Sequence, residues 1–159
     1  MLTGCFRENK DRVVPFDTAD CAYFGNLHGT GSGLFFLVLS NNARNYVRIQ
    51  GYDDLKDFAD FKLEERTWHL GAGATWGYEK TFSQGGFDEN DIPNGTFIFE
   101  YDRLMLIIDG SFDVRLSDDN TYLITANFTG RDYHTGLIHQ NIRIKFAGTV
   151  KYYDETEGV

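Results

Sequence analysis

Along this chain, apolar and polar positions alternate with a period of two far more often than with the helical period of 3.6. Residues 23–27 make a short strand. Residues 34–40 are continuously apolar, as in a strand buried on both faces, and Asn41-Asn42 marks a turn. In 46–52, Val47 and Ile49 point one way, Arg48 and Gln50 the other. Strands at 67–70 and 75–82 are joined by Gly71-Ala72-Gly73-Ala74, with Trp76, Tyr78 and Phe82 on one face. Residues 83–95 read as a loop. The clearest alternation comes last: 96–101, 104–108, 111–116, a hairpin turn at Ser117-Asp118-Asp119-Asn120, then 121–128. After a polar loop, 138–153 continues as one long strand bent near Ala147-Gly148.

One stretch departs from this pattern. Leu55, Phe58, Phe61 and Leu63 fall near helical spacing, with Asp53 or Asp54 placed to cap, so 53–66 is expected to form a short helix or helical loop. About nine strands at hairpin spacing predict an all-β antiparallel fold. A two-sheet β-sandwich is the first expectation, and a closed calycin-like β-barrel is the alternative. No βαβ alternation is visible. Residues 1–20 read as a polar lead-in or tether, and 21–159 as a single β domain.

Composition agrees with sheet: aromatic residues make up 16% of the 159, mainly 14 Phe and 9 Tyr. The net charge of −9 repels phosphate backbones and argues against nucleic-acid binding. No basic amphipathic stretch offers a grip on an anionic membrane. No apolar run reaches the roughly 18 residues of a spanning helix.

Candidate chemistry is sparse. Gly29, Gly31 and Gly33 follow a strand but lack the Gly-Lys-Ser/Thr ending of a phosphate loop, and read as a turn. Asp88-Glu89-Asn90-Asp91 could offer oxygens to calcium, yet Ile92 stands where a third ligand would be. His134 and His139, with Asp132 nearby, match no zinc or acid–base spacing. With no catalytic constellation in view, no enzyme activity, cofactor or metal is expected. The flat rings of Trp68, Trp76, Tyr78 and Tyr133 could stack on sugar faces, while the competing reading places the tryptophans in the core.

Several phrases, taken in order, resemble the small all-β surface lipoproteins of Bacteroidetes-type bacteria, over residues 22–153. They are Ala22-Tyr23-Phe24-Gly25, Gly31-Ser32-Gly33-Leu34-Phe35-Phe36-Leu37-Val38-Leu39-Ser40, Ile92-Pro93-Asn94-Gly95-Thr96-Phe97, Asp109-Gly110-Ser111-Phe112-Asp113-Val114, Tyr122-Leu123-Ile124 and Phe146-Ala147-Gly148-Thr149-Val150. The resemblance implies a location more than an activity. In addition, Leu2-Thr3-Gly4-Cys5 resembles a lipobox, after which a precursor is cut and lipidated on cysteine. A charged and apolar signal region does not stand ahead of Leu2, which leaves open a start further upstream or a chance match. Cys5 and Cys21 also admit a disulfide or two unrelated thiols. The expectation is an exported outer-membrane or cell-surface protein, tethered through Cys5. It would act as a noncatalytic binding or accessory protein whose partner is a glycan or a surface protein. The alternative is a barrel-type carrier of a small apolar ligand, or a protein inhibitor.

Overall fold

The computed structural model describes residues 13–158. Its strands are, in order, β1 (Val13–Phe16), β2 (Thr18–Gly25), β3 (Ser32–Asn42), β4 (Asn45–Asp54), β5 (Arg66–Gly71), β6 (Thr81–Ser83), β7 (Gly86–Phe87), β8 (Pro93–Asn94), β9 (Phe97–Glu100), β10 (Arg103–Leu116), β11 (Tyr122–Asp132), β12 (Ile138–Gly148) and β13 (Lys151–Asp154). Among the described residues, helical structure is limited to three single 3-10 turns, at Phe58–Asp60, Gly73–Thr75 and Thr156–Gly158.

The all-β expectation holds, and the two packing alternatives merge. Strands β10, β5, β6, β4 and β9 pair in a closed ring of five, because β9 bonds to both β10 and β4. Two wings extend from this ring. One runs from β4 through β3 and β2 to β13, the other from β10 through β11 and β12 to β1. Most pairs are antiparallel, but β1 on β12, β13 on β2 and β5 on β6 are parallel.

The wings enclose one core because alternate residues turn inward. Phe35, Leu37 and Leu39 on β3 and Val47 and Ile49 on β4 meet Phe112, Val114, Ile124, Phe128, Ile144 and Phe146 from the other wing. Each such side chain contributes about 1.5–3 kcal/mol through burial. Within β10 the inward phase changes from odd (Met105, Ile107) to even (Phe112, Val114). The register shift between Ile107 and Asp109 supplies the extra residue, so 104–108 and 111–116 are one bulged strand. Its first half pairs with β9 and its second with β5, which is how it closes the ring at both ends.

Other expectations need correction. Residues 13–20 are not lead-in: Val14, Phe16 and Ala19 are buried in the core. Pro15 hides the strand signal, yet it is tolerated because β1 is an edge strand. The helical tendency of 53–66 yields one turn, with Phe61 and Leu63 anchored in the core, Leu55 exposed, and Asp53 at the end of β4 rather than capping. No strand spans 75–80; only Thr81–Ser83 of that run is sheet. The long last strand breaks at Gly148, and β13 crosses to the opposite wing.

Candidate functional site

On β4, the residues between the inward ones face outward: Arg48, Gln50 and Tyr52. Along this edge β4 changes partner, pairing Asn45–Arg48 with β9 and then Gly51 and Tyr52 with β6. The chain between β6 and β9 crosses at that break. Gly85 N–H donates to Ile107 O (2.7 Å), Ile107 N–H to Thr96 O (3.1 Å), and Gln50 N–H to Thr96 Oγ1 (3.2 Å). Gly85 and Gly95 are required at the crossing. A Cβ on either would run into backbone, and Gly95 has φ +71°.

The Gln50 side chain fills the break. Its Nε2 donates to Tyr52 Oη (2.9 Å) and Ser83 Oγ (3.4 Å), and its Oε1 accepts from Gly95 N–H (3.2 Å) and Arg48 Nη2 (3.3 Å). Tyr52 Oη shares a 2.8 Å hydrogen bond with His28 Nδ1. With a neutral imidazole, Tyr52 can donate to His28 Nδ1 while accepting from Gln50. Burial, then the charge of Arg48, holds His28 below its ordinary value. Burial pushes the Tyr52 hydroxyl up, outweighing its bonds with Ser83 and Gln50.

His28, Arg48, Gln50, Ser83 and Gly95 line an open cleft of about 610 Å³, with Tyr52 buried beneath it. One lip is Trp76, set by the 3-10 turn before it through Thr75 N–H to Ala72 O (3.1 Å) and Trp76 N–H to Gly73 O (3.3 Å). The indole stacks on His28 (5.9 Å, 16°) and meets Tyr52 edge-on (5.6 Å, 65°), while remaining 42% exposed. The other lip is the 88–95 loop, whose Asp88 Oδ1 accepts the amides of Asn90 (2.8 Å) and Ile92 (3.0 Å). The floor is Arg48, lying over Phe36 (4.1 Å) and near Phe97 (5.3 Å). Burial lowers the Arg48 pKa. Its Nε is buried without an acceptor, and it makes no ion pair among the described residues.

The anticipated aromatic residues are not brought together. Trp68 is 0% exposed, stacked on Phe112 (5.7 Å, 2°), with its Nε1–H donating to Glu64 O (3.3 Å). It is a core residue, and the expectation of ligand contact there is corrected. Tyr78, 62% exposed, lies beyond Trp76 against Thr30 and Glu79 in a separate hollow. Tyr133, 56% exposed, packs on Phe87 (4.9 Å) at the base of the 88–95 loop. His134 Nε2 bonds to Asp102 O (3.1 Å), and Asp132 is engaged by Arg103 and the amides of His134 and Thr135. No cluster of metal-ligating side chains forms among the described residues. Cys21 is a buried free thiol, and Cys5 lies outside the described residues.

Sequence reasoning missed His28, Arg48 and Gln50, which look like ordinary solvent-facing strand and turn residues. The available signal was Phe36, an apolar side chain on the outward face of β3 in register with Gln50. No protein-family model, curated protein or solved structure matches this chain.

Proposed function

We propose that this chain is a noncatalytic, exported binding or accessory protein that takes a glycan in the cleft beside Trp76. The observation behind this reading is a half-exposed indole at the mouth of a cleft lined with amide and hydroxyl groups. Such a ring excludes water from one face of a sugar, while Gln84, Asn94 and Ser83 offer donors and acceptors to its hydroxyls. In the cleft, His28 is bonded to a phenol and not to a carboxylate, so it lacks the orienting acid of a general-base pair. A carrier of apolar ligands would need room inside the ring, where Trp68, Phe82 and Phe112 pack against one another.

A glycan array followed by isothermal titration of the best binder tests this reading. Trp76→Ala is expected to weaken binding at least tenfold, whereas Tyr133→Ala leaves it unchanged. Failure of every glycan to bind, or indifference to Trp76→Ala, would remove it.

Location is part of the same proposal. The lipobox-like Leu2-Thr3-Gly4-Cys5 supports a lipid anchor at Cys5. A Cys5→Ser variant of the full precursor should lose its acyl mass and leave the membrane fraction. Retention in that fraction with unchanged mass would exclude the anchor.

A further inference from the structure

We infer that Arg48 makes this cleft select a sugar carrying a carboxylate, a uronic-type residue, over its neutral counterpart. The inference rests on the proposed glycan reading and sharpens it.

Arg48 is unusual in a chain of net charge −9. Arg44, Arg66, Arg103 and Arg115 each lie within salt-bridge distance of a carboxylate, while Arg131 and Arg143, like Arg48, make no ion pair among the described residues but lie away from this cleft. Arg48 is half-buried and has no carboxylate partner among the described residues. Its lone side-chain acceptor there is the neutral Gln50 Oε1. A guanidinium withdrawn from water without a counter-charge is unfavourable, and an incoming anion relieves that cost.

The surroundings prepare the charge rather than disperse it. Phe36 supports the guanidinium plane at 4.1 Å, fixing its orientation through cation–π contact. Gln50 is itself held by Gly95 and by its bonds to Tyr52 and Ser83. Burial and the nearby Arg48 charge keep His28 neutral at pH 7, so the imidazole adds no second cation, and Asp88 on the wall disfavours a second negative group on the ligand. One cation therefore faces the ligand, which suits a monovalent group. A planar carboxylate matches the edge of a guanidinium fork, and Trp76 stands at the same cleft to receive the sugar ring.

The test is isothermal titration with a panel of uronate oligosaccharides, each paired with its methyl ester and its neutral parent, plus a sulfated neutral sugar. Esterification keeps the skeleton and removes the charge. Wild-type protein is expected to bind the acid about ten- to a hundredfold more tightly than the ester. That preference should shrink as salt rises from 50 to 500 mM, roughly in step with screening. Arg48→Gln should abolish the preference, so that acid and ester bind alike. Arg48→Lys should restore part of it, and a circular-dichroism melt establishes that both variants are folded. The salt series on wild-type protein needs no variant at all. Equal binding of acid and ester would overturn the carboxylate inference and leave the glycan reading standing. Preference for the sulfated sugar over the acid would also overturn it. Absence of binding to every charged and neutral sugar would overturn both.

Discussion

Trp68 and Trp76 are the same residue type, eight positions apart, with opposite fates. Trp68 lies on β5 facing inward, pressed between Phe35 and Phe112. Trp76 lies on a loop over the cleft. Trp68→Ala should therefore destabilise the fold by about 3–5 kcal/mol. Trp76→Ala should stay within about 0.5 kcal/mol of wild type, as is usual for surface changes. Chemical denaturation reads both. His28 sets a pH dependence. Its pKa is ordinarily about 6.5 and is lowered in the fold, so above pH 6.5 both folded and unfolded states hold it neutral. Below that, the unfolded chain takes up the proton first, and stability is lost as pH falls toward the folded value. The fall in melting temperature between pH 7.5 and 5.5 should be smaller in His28→Asn than in wild type. An identical fall in the two proteins would contradict this. Residue identity was legible in the sequence, whereas exposure was not. It depends on strand phase for Trp68 and on a loop conformation for Trp76.

At the scale of elements, the loop bearing Trp76 is pinned by Lys80. Its backbone N–H donates to Tyr52 O (2.7 Å), and its ammonium bridges the fully buried Asp53, Asp54 (3.3 Å) and Glu64 (3.2 Å). Burial alone would lower the lysine pKa, but the hydrogen bond and charge of Asp53, followed by Glu64, raise it. It is a fixed cation, unsuited to attack as a nucleophile. Lys80→Met would leave buried Asp53 with the Asp54 amide (2.7 Å) and, as its counter-charge, the more distant Lys56 (3.9 Å). A loss of about 3 kcal/mol in denaturant titration is expected, together with weaker binding because the Trp76 lip loosens. Gly95→Ala should cost about 1–3 kcal/mol, since an L side chain there meets the Gln84 carbonyl at positive φ. It should also weaken glycan binding by displacing the amide bonded to Gln50.

The hairpin from β10 to β11 was legible because Ser117 and Asn120 close a local turn. The alternation of β11 is nearly unbroken. The 75–80 segment was misread for a physical reason: Trp76 and Tyr78 fit strand spacing, but Gly77, at φ +77°, turns the chain out of the sheet. Parallel pairs such as β5 with β6 also leave no local mark in a sequence, because their register is set by distant neighbours. The cleft escaped notice for the same reason: Arg48 and His28 are separated in sequence and are brought to one cleft only by the pairing of β3 with β4 and the bond from His28 to Tyr52.

For the whole molecule, the parallel edge pairs, β1 with β12 and β13 with β2, couple strands from opposite ends of the described chain outside the ring. β1 and β13 are added to opposite wings, so neither wing is finished until the termini are in place. Folding dominated by such distant pairings is slow, on the order of milliseconds to seconds. Stopped-flow refolding followed by tryptophan fluorescence should fall in that range, with Trp68 supplying most of the change. Completion within microseconds would mean that local hairpins, and not distant pairings, set the pace.

Cys21 lies on β2, buried in the core. Its thiol is fully buried, with burial and then the charge of Asp53 pushing its pKa upward. Deep enclosure and suppressed ionisation protect it from alkylating reagents so long as the fold stays shut. In a background with Cys5 replaced by serine, maleimide uptake would thus act as a stopwatch for spontaneous opening, reporting breathing events too rare for equilibrium spectroscopy to register.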